Sequence, residues 1–285
     1  MRAARARRLV AALAAATLLL AGSAVAVERY TVLPGGDGEV LTLLLLGSDE
    51  GPPRSTDITA GRADGFQILF VSGDRQHATF VSVPRDSWVS VAGSGNGRIN
   101  NCLLGGGERC MATVEQVFGI EVDGYLATSM DAFKSAVDAF GGVTIDVAVP
   151  VSHGGADITT TGVQELTGSQ TLTYGRDRKT RAGGDFTRSR SQAEILATAH
   201  QAVVADPAPD RILDTVSILR RHTVTDLTGP QLARLGFEAL RLPPENVQRV
   251  LAEGVDAWVG RAAVVKLRDS AYATIKDAAD DAQVG

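Results

Sequence analysis

The chain has no basic excess. Its 28 lysines and arginines stand against 33 aspartates and glutamates, a formal charge of −5 with histidine neutral. General nucleic-acid binding draws on a strong surplus of positive charge and is excluded on this ground. Cysteine is nearly lacking. Cys102 and Cys110 cannot complete a four-ligand zinc site, and none of the four histidines lies at a spacing that would help them. Two readings remain for the pair: a disulfide across the glycine-bearing interval 103–109, sensible in an oxidising compartment, or two buried free thiols. No repeat and no low-complexity insert is visible.

What is present belongs to a folded protein. Of 285 residues, 44% are apolar and 21% charged, enough to bury one large core or two small ones. Arg2, Arg5, Arg7 and Arg8 precede a stretch from Leu9 to Val27 that holds no charge. As a helix rising about 1.5 Å per residue, this stretch nearly spans a bilayer core of roughly 30 Å. The leading arginines would keep the N-terminus cytoplasmic and send the rest outward. Ala24-Val25-Ala26 also suits a cleaved signal peptide. Residues 1–27 are therefore an anchor or a signal peptide, and under both readings the working domain is extracellular, anchored in the membrane or secreted. Residues 28–39 form a linker broken by Pro34, Gly35, Gly36 and Gly38. The domain proper runs over 40–268, and 269–285 reads as a polar, alanine-rich tail.

Within the domain, strand and helix patterns alternate. Val40–Leu46, Phe66–Val71 and Ala78–Val83 are strand-like, the last two as a hairpin around Ser72-Gly73-Asp74. Met111–Phe118 has helical spacing and ends at Gly119. Ser129 is a good N-cap for a helix running to Phe140. Val143–Val149 reads as a strand, residues 187–204 as a longer helix, and 211–220 and 230–240 as two more, with a late strand over 247–251. This alternation predicts an α/β fold, a central sheet flanked by helices on both faces.

The charged residues collect at the ends of these elements. Asp49 follows one buried strand and Asp64 precedes another, so neighbouring strands would bring both to one sheet edge. Such a pair suits a hard divalent cation, although aspartates at strand ends also simply cap turns. Pro84 ends a strand and sets Arg85 at the same rim, where a guanidinium fork matches phosphate oxygens. Asp86 would orient that arginine or cap the next turn, and an ordinary surface salt bridge explains the pair equally on this feature alone. The densest segment has Arg176, Arg178, Lys179, Arg181, Arg188 and Arg190 within fifteen positions. On an extended segment Arg176 and Arg178 share one side. On a helix Arg188 and Gln192 do, with Asp185 or Thr187 as cap and the helix N-terminus open to an anion. Glycines among the arginines favour anion binding over a merely solvated charge run.

Gly47-Ser48-Asp49, Arg62-Ala63-Asp64, Pro84-Arg85-Asp86, Arg98-Ile99-Asn100, Tyr174-Gly175-Arg176-Asp177-Arg178 and Asp185-Phe186-Thr187-Arg188 occur in the order of the LytR-CpsA-Psr family. Gly105-Gly106, Gly141-Gly142-Val143, Leu166-Thr167-Gly168 and Thr225-Asp226-Leu227-Thr228 resemble further landmarks, so the resemblance covers nearly the whole chain after the N-terminal segment. It implies an α/β/α fold with a mixed central sheet and an apolar tunnel for a polyprenyl tail. It also implies transfer of a phospho-glycan from a polyprenyl-pyrophosphate carrier to peptidoglycan, with magnesium or manganese as cofactor. Carried onto this chain, Asp49 and Asp64 would hold the metal. Arg62, Arg85, Arg176, Arg178 and Arg188, beside Gln192, would clamp the pyrophosphate, and Arg62, Asp64, Arg85, Arg176 and Arg178 would carry the catalysis. Asp86, Arg98, Asn100 and Arg190 are left with open roles.

This chain departs from the family pattern at two places. Ala63 and Gly65 flank Asp64 where Ser and Thr are common. Ser191 stands at the second arginine of the common Arg-x-x-Arg-Gln, and Arg190, one residue earlier, would be turned by about 100° on the helix. Two alternatives to the transferase share the same groups: a hydrolase of the same pyrophosphate, and a non-catalytic lipid-pyrophosphate or cell-wall binding protein.

Overall fold

The computed structural model describes residues 33, 38–50, 57, 60–152, 156–205, 217 and 223–285. The anchor or signal peptide expected over 1–27, most of the 28–39 linker, and all but Ser217 of the helix expected over 211–220 lie outside the described residues. Among the described residues no helix is long and apolar enough to cross a membrane.

In chain order the elements are β1 (Leu41–Ser48), β2 (Ala63–Val71), β3 (Ala78–Ser82), β4 (Trp88–Val91), β5 (Gly95–Arg98) and a 3-10 turn over Ile99–Gly105. There follow α1 (Gly107–Phe118), β6 (Gly124–Ser129), α2 (Met130–Ala139), β7 (Val143–Val147), β8 (Gly162–Leu166), α3 (Gly168–Arg176) and α4 (Gly184–Ala205). The chain closes with β9 (Thr223–Thr225), α5 (Gly229–Arg241), β10 (Val247–Leu251), β11 (Gly254–Val259), β12 (Ala262–Leu267) and α6 (Asp269–Asp281). The central sheet has the order β10-β3-β2-β1-β6-β9. It is mixed: β1 runs antiparallel to β2 and parallel to β6, and β10 runs parallel to β3. Three separate hairpins, β4–β5, β7–β8 and β11–β12, surround it.

The period-2 alternation of each strand sends side chains to two different layers. Leu44, Leu46, Phe66, Ile68, Phe70 and Val81 face a core shared with Cys110, Val114 and Phe118 of α1 and with Ala271, Ile275 and Ala278 of α6. Helices on both faces of a mixed sheet are the α/β/α arrangement expected. The tail expected over 269–285 is corrected: α6 is part of this core, and Ala271, Ile275, Ala278 and Ala282 are at most 1% exposed. Alanine-rich composition suggested a polar end because small side chains add little hydrophobicity, yet they let a helix lie close against the sheet.

The opposite face carries Leu41, Leu43, Leu45, Leu69, Val71, Ala78 and Phe80. With α4 and α5 these line an apolar cavity of about 350 Å³. His200 of α4 also lines it. Its Nε2 lies 2.8 Å from the Ala239 carbonyl oxygen, and its Nδ1 is buried without a partner. Burial lowers its pKa from 6.5, against the opposing pull of the Ala239 contact. The folded protein therefore keeps His200 neutral, while the unfolded chain takes up the proton as pH falls below the ordinary value. Stability is then lost as pH falls. Thermal melts will show a fall in Tm from about pH 7 to about pH 5 that is smaller in His200→Leu. Equal falls in the two proteins would remove the imidazole from this account.

Candidate active site

The site stands where β1 ends, β2 begins and β3 ends. The β1–β2 register shifts between Gly47–Gly65 and Ser48–Ala63, leaving Asp64 as an extra residue without a cross-strand partner. A bulge of this kind re-aims a side chain, and Asp64 pairs with Arg85 of the loop after β3. Asp49 lies just past β1, and its Oδ1 accepts the Arg62 backbone N–H at 2.6 Å. Asp49 stands at the end of β1 beside the start of β2, and its carboxylate caps the return of the chain. Arg62 Nε donates to Asn101 Oδ1 at 3.2 Å.

Arg85 is the hub. Its Nε lies 3.9 Å from Asp86 Oδ2 and 3.8 Å from Asp185 Oδ1. Asp185 Oδ1 is also 2.8 Å from Arg188 Nη2, so one carboxylate stands between two guanidiniums. Arg188 is only 3% exposed. Burial pushes its pKa down to about 10, with Asp185 opposing the shift and Arg85 adding to it. Burial likewise raises Asp185, against the pull of Arg188. These ion pairs leave hydrogen-bonding capacity unused. Among the described residues Arg85 Nε and Arg188 Nε are buried donors without a hydrogen-bond partner, while Asp185 meets the two guanidiniums through its ion pairs. Buried donors left unmet at one place mark a site built for a polar ligand.

α4 begins at Gly184, three residues before the expected start, so Asp185 and Arg188 both lie in its opening turns and neither Asp185 nor Thr187 is its N-cap. The helix N-terminus adds its own partial positive charge to the rim. Gln192, one turn along, donates from Nε2 to the backbone oxygens of Asp64 and Gly175 at 3.4 and 3.3 Å. Arg178 is exposed, and its charge is felt by both Asp185 and Arg188. The extended segment expected at Arg176 is corrected: Arg176 is the last residue of α3 and half-buried, so Arg176 and Arg178 do not share the side of a strand. Gly175 has a steric reason, since a Cβ there would stand 2.9 Å from Ile195 Cδ1 of α4. Its absence lets the two helices close on each other.

The residues with open roles now have places. Asp86 lies between Arg85 and Arg98, the latter 3.4 Å away. Arg98 also donates to Ala263 O at 3.2 and 2.7 Å, tying the β11–β12 hairpin to the site loop. Asn100 is buried, and its N–H donates to Arg85 O at 3.2 Å. Arg190 is exposed on α4, so it does not fill the place of Ser191, which is 1% exposed. Cys102 and Cys110 form a disulfide, which deletes the free-thiol reading and braces the turn that carries Asn100 and Asn101. Sequence reasoning missed Asp185 as the central carboxylate, treating it as a cap. It also missed Asn101, for which no local signal exists.

The cavity lining includes Leu196, one turn of α4 beyond Gln192, and Leu45, two residues before Gly47 on β1. The class is an α/β/α domain with a cluster of arginines and aspartates at the sheet rim and an apolar cavity on one sheet face. The chain belongs to the LytR_cpsA_psr family, whose model matches residues 23–281. It is similar to the polyisoprenyl-teichoic acid–peptidoglycan teichoic acid transferase TagU of Oceanobacillus iheyensis, 29% identical over 204 residues. That match covers 69% of this chain and 62% of the relative, so the chain spans under two thirds of that protein's length. Among solved structures it resembles protein gbs0355 from Streptococcus agalactiae, with a TM-score of 0.74 and 20% identity over 84% of this chain and 86% of that one. It also resembles B. subtilis TagV, with a TM-score of 0.73 and 20% identity over 85% and 96%.

Proposed function

We propose that this protein transfers a phospho-glycan from a polyprenyl-pyrophosphate carrier to a peptidoglycan hydroxyl outside the cell, held at the membrane by its N-terminal segment. The observation that carries the proposal is the pair of buried guanidinium Nε donors on Arg85 and Arg188 left without a hydrogen-bond partner beside the apolar cavity. A pyrophosphate needs clustered donors, and its prenyl chain needs an apolar enclosure; the donors stand at the rim, and the cavity runs from Leu45 along the sheet face to Leu41 and Ala78.

In this reading Arg85 and Arg188 bind the pyrophosphate oxygens, with Arg178, Arg176 and Arg62 contributing positive charge from the surrounding loops. The acceptor oxygen attacks the phosphorus on the glycan side, and the bond to the polyprenyl phosphate breaks. The products are a glycan joined to peptidoglycan through a phosphodiester, the lipid monophosphate and a proton. Charge grows on the leaving and transferred oxygens, and guanidiniums already fixed in place stabilise it without reorganisation. The leucines and valines of the cavity hold the prenyl chain and orient the reacting phosphate.

Asp49 and Asp64 suit a hard divalent cation, magnesium or manganese, by donor chemistry: two carboxylates at one rim. Among the described residues no three or more His, Cys, Asp or Glu side chains stand together for a metal. A cation here would therefore take its other ligands from phosphate oxygens and water, the usual habit of magnesium. When bound it would neutralise charge on the pyrophosphate.

The test supplies the purified protein with a polyprenyl-pyrophosphate-linked glycan and magnesium, with and without peptidoglycan. Phospho-glycan covalently joined to peptidoglycan is the expected product. Free phosphorylated glycan would instead mark a hydrolase. Lipid binding without product, after the native polymer has been tried, would mark a binding protein.

A further inference from the structure

α4 has serine, not arginine, at position 191, and its neighbour Arg190 is exposed. The buried Ser191 hydroxyl nevertheless meets a guanidinium. Arg181, in the loop between α3 and α4, donates from Nη2 to Ser191 Oγ at 2.8 Å and to Tyr174 O at 3.3 Å. Its Nε lies 3.4 Å from Asp177 Oδ2, and its guanidinium carbon sits 4.3 Å from the centre of the Tyr174 ring. One side chain thus touches α3, the loop and α4 together.

We propose that Arg181 is a positioning residue: it clamps the segment bearing Arg176 and Arg178 onto α4, supplying from the loop the guanidinium that α4 lacks at position 191. This rests on the pyrophosphate reading of the site, and it names what holds half of that clamp in register.

The partners of Arg181 are themselves fixed. Asp177, between the two arginines, is 2% exposed. Its Oδ1 accepts the N–H groups of Lys179 and Thr180 and the Thr180 hydroxyl at 3.0–3.1 Å. Burial works against its charge, but these hydrogen bonds and Arg181 hold its carboxyl below the usual range. Tyr174 donates its hydroxyl to Glu194 Oε2 at 2.9 Å, a second link from α3 to α4. Ser191 donates in turn to Thr187 O at 2.9 Å, so its oxygen is oriented to accept. With Gln192 bound to Gly175 O, α3 is joined to α4 on both sides of the loop. Without Arg181 the Tyr174 and Gln192 links remain, but Asp177 and Ser191 lose the partner they share. The loop arginines would then spend part of their time away from Arg188. A lysine cannot replace this fork, because one ammonium does not reach a hydroxyl, a carbonyl and a carboxylate while stacking on a ring.

The experiment compares wild type, Arg181→Ala, Arg181→Lys and Arg181→Ala/Ser191→Arg by amide exchange over 177–183, by affinity for farnesyl diphosphate, and by thermal melting. Arg181→Ala should speed exchange at Lys179 and Thr180 and weaken farnesyl diphosphate binding about tenfold, with the melt still cooperative. Arg181→Lys should recover little, and the double variant should return to within about threefold of wild type. Unchanged exchange in Arg181→Ala, unchanged affinity, or a double variant no better than the single would each overturn the proposal. If the wild type binds no diphosphate, the pyrophosphate reading falls; faster exchange in Arg181→Ala, reversed in the double variant, would still uphold the clamp, and unchanged exchange would overturn it.

Discussion

Arg85→Ala will lower phospho-glycan transfer about a thousandfold, the order seen when a preorganised donor to a developing oxyanion or phosphoryl group is removed. Arg85 is the one side chain in contact with Asp64, Asp86 and Asp185. Deleting it takes a donor from the ligand and also leaves three carboxylates facing the space the pyrophosphate must enter. The loss therefore combines missing attraction with added repulsion. Arg85→Lys keeps the charge and eases the repulsion, but it offers a point donor where a fork is needed, so it will recover only part of the rate. The fold will survive both changes, because the residue lies on a loop at the rim and the core beneath it is apolar. Initial rates with a polyprenyl-pyrophosphate-linked glycan, beside thermal melts, provide the check. A loss below tenfold in Arg85→Ala, with the fold intact, would remove Arg85 from the chemistry.

Ending the chain after Arg268 will abolish cooperative folding. α6 supplies Ala271, Ile275 and Ala278, and its C-cap supplies Ala282, to the core shared with α1, and Tyr272 packs its ring 5.6 Å from that of Phe118. Ala282 O accepts the Thr79 hydroxyl of β3 at 2.7 Å, so the end of the helix is also bonded to the sheet. Removing all of this would uncover the part of the core that α6 closes beside α1, at a cost of several buried side chains, comparable with the whole stability of an ordinary domain. A milder version isolates one side chain. Ile275 is fully buried, and Ile275→Ala should cost about 2–4 kcal/mol. Urea titration of the two variants measures both effects. A truncated chain with the wild-type midpoint would show that α6 contributes nothing to the core.

Much of the fold was legible in the chain. The strands at 41–48, 63–71, 78–82 and 247–251 carry β-branched and apolar residues between clear turn residues. Ser129 was readable as an N-cap, and its side chain accepts the Ala132 N–H. Other elements gave weaker signals. α3 is rich in threonine and glycine, poor helix formers, and its one clear cue was a capping box from Thr167 to Gln170. α6 hid behind alanine and aspartate. The hairpins β4–β5 and β11–β12 are short, glycine-bearing or half exposed, so neither shows a clean alternation.

The site divides in the same way. Arginines at turn positions between apolar strands announced an anion site on an acidic chain, because charge placed where the backbone turns is charge brought to a rim. Family order then gave each of them a place. The pairing of those charges was not legible: Asp185 between Arg85 and Arg188, Asp64 thrown out of register by a bulge, Arg181 turned back onto Ser191.

What the sequence by itself determined is the alternation of strand and helix, the apolar layers on both faces of the sheet, and the charge type at its edge. Local propensity, side-chain period and turn chemistry act within a few residues and need no partner. What only the tertiary structure decided is which charges meet. Arg85 and Asp185 are a hundred residues apart in the chain, and their 3.8 Å contact exists because β3 and α4 pack against each other, β3 ending and α4 beginning at the same rim.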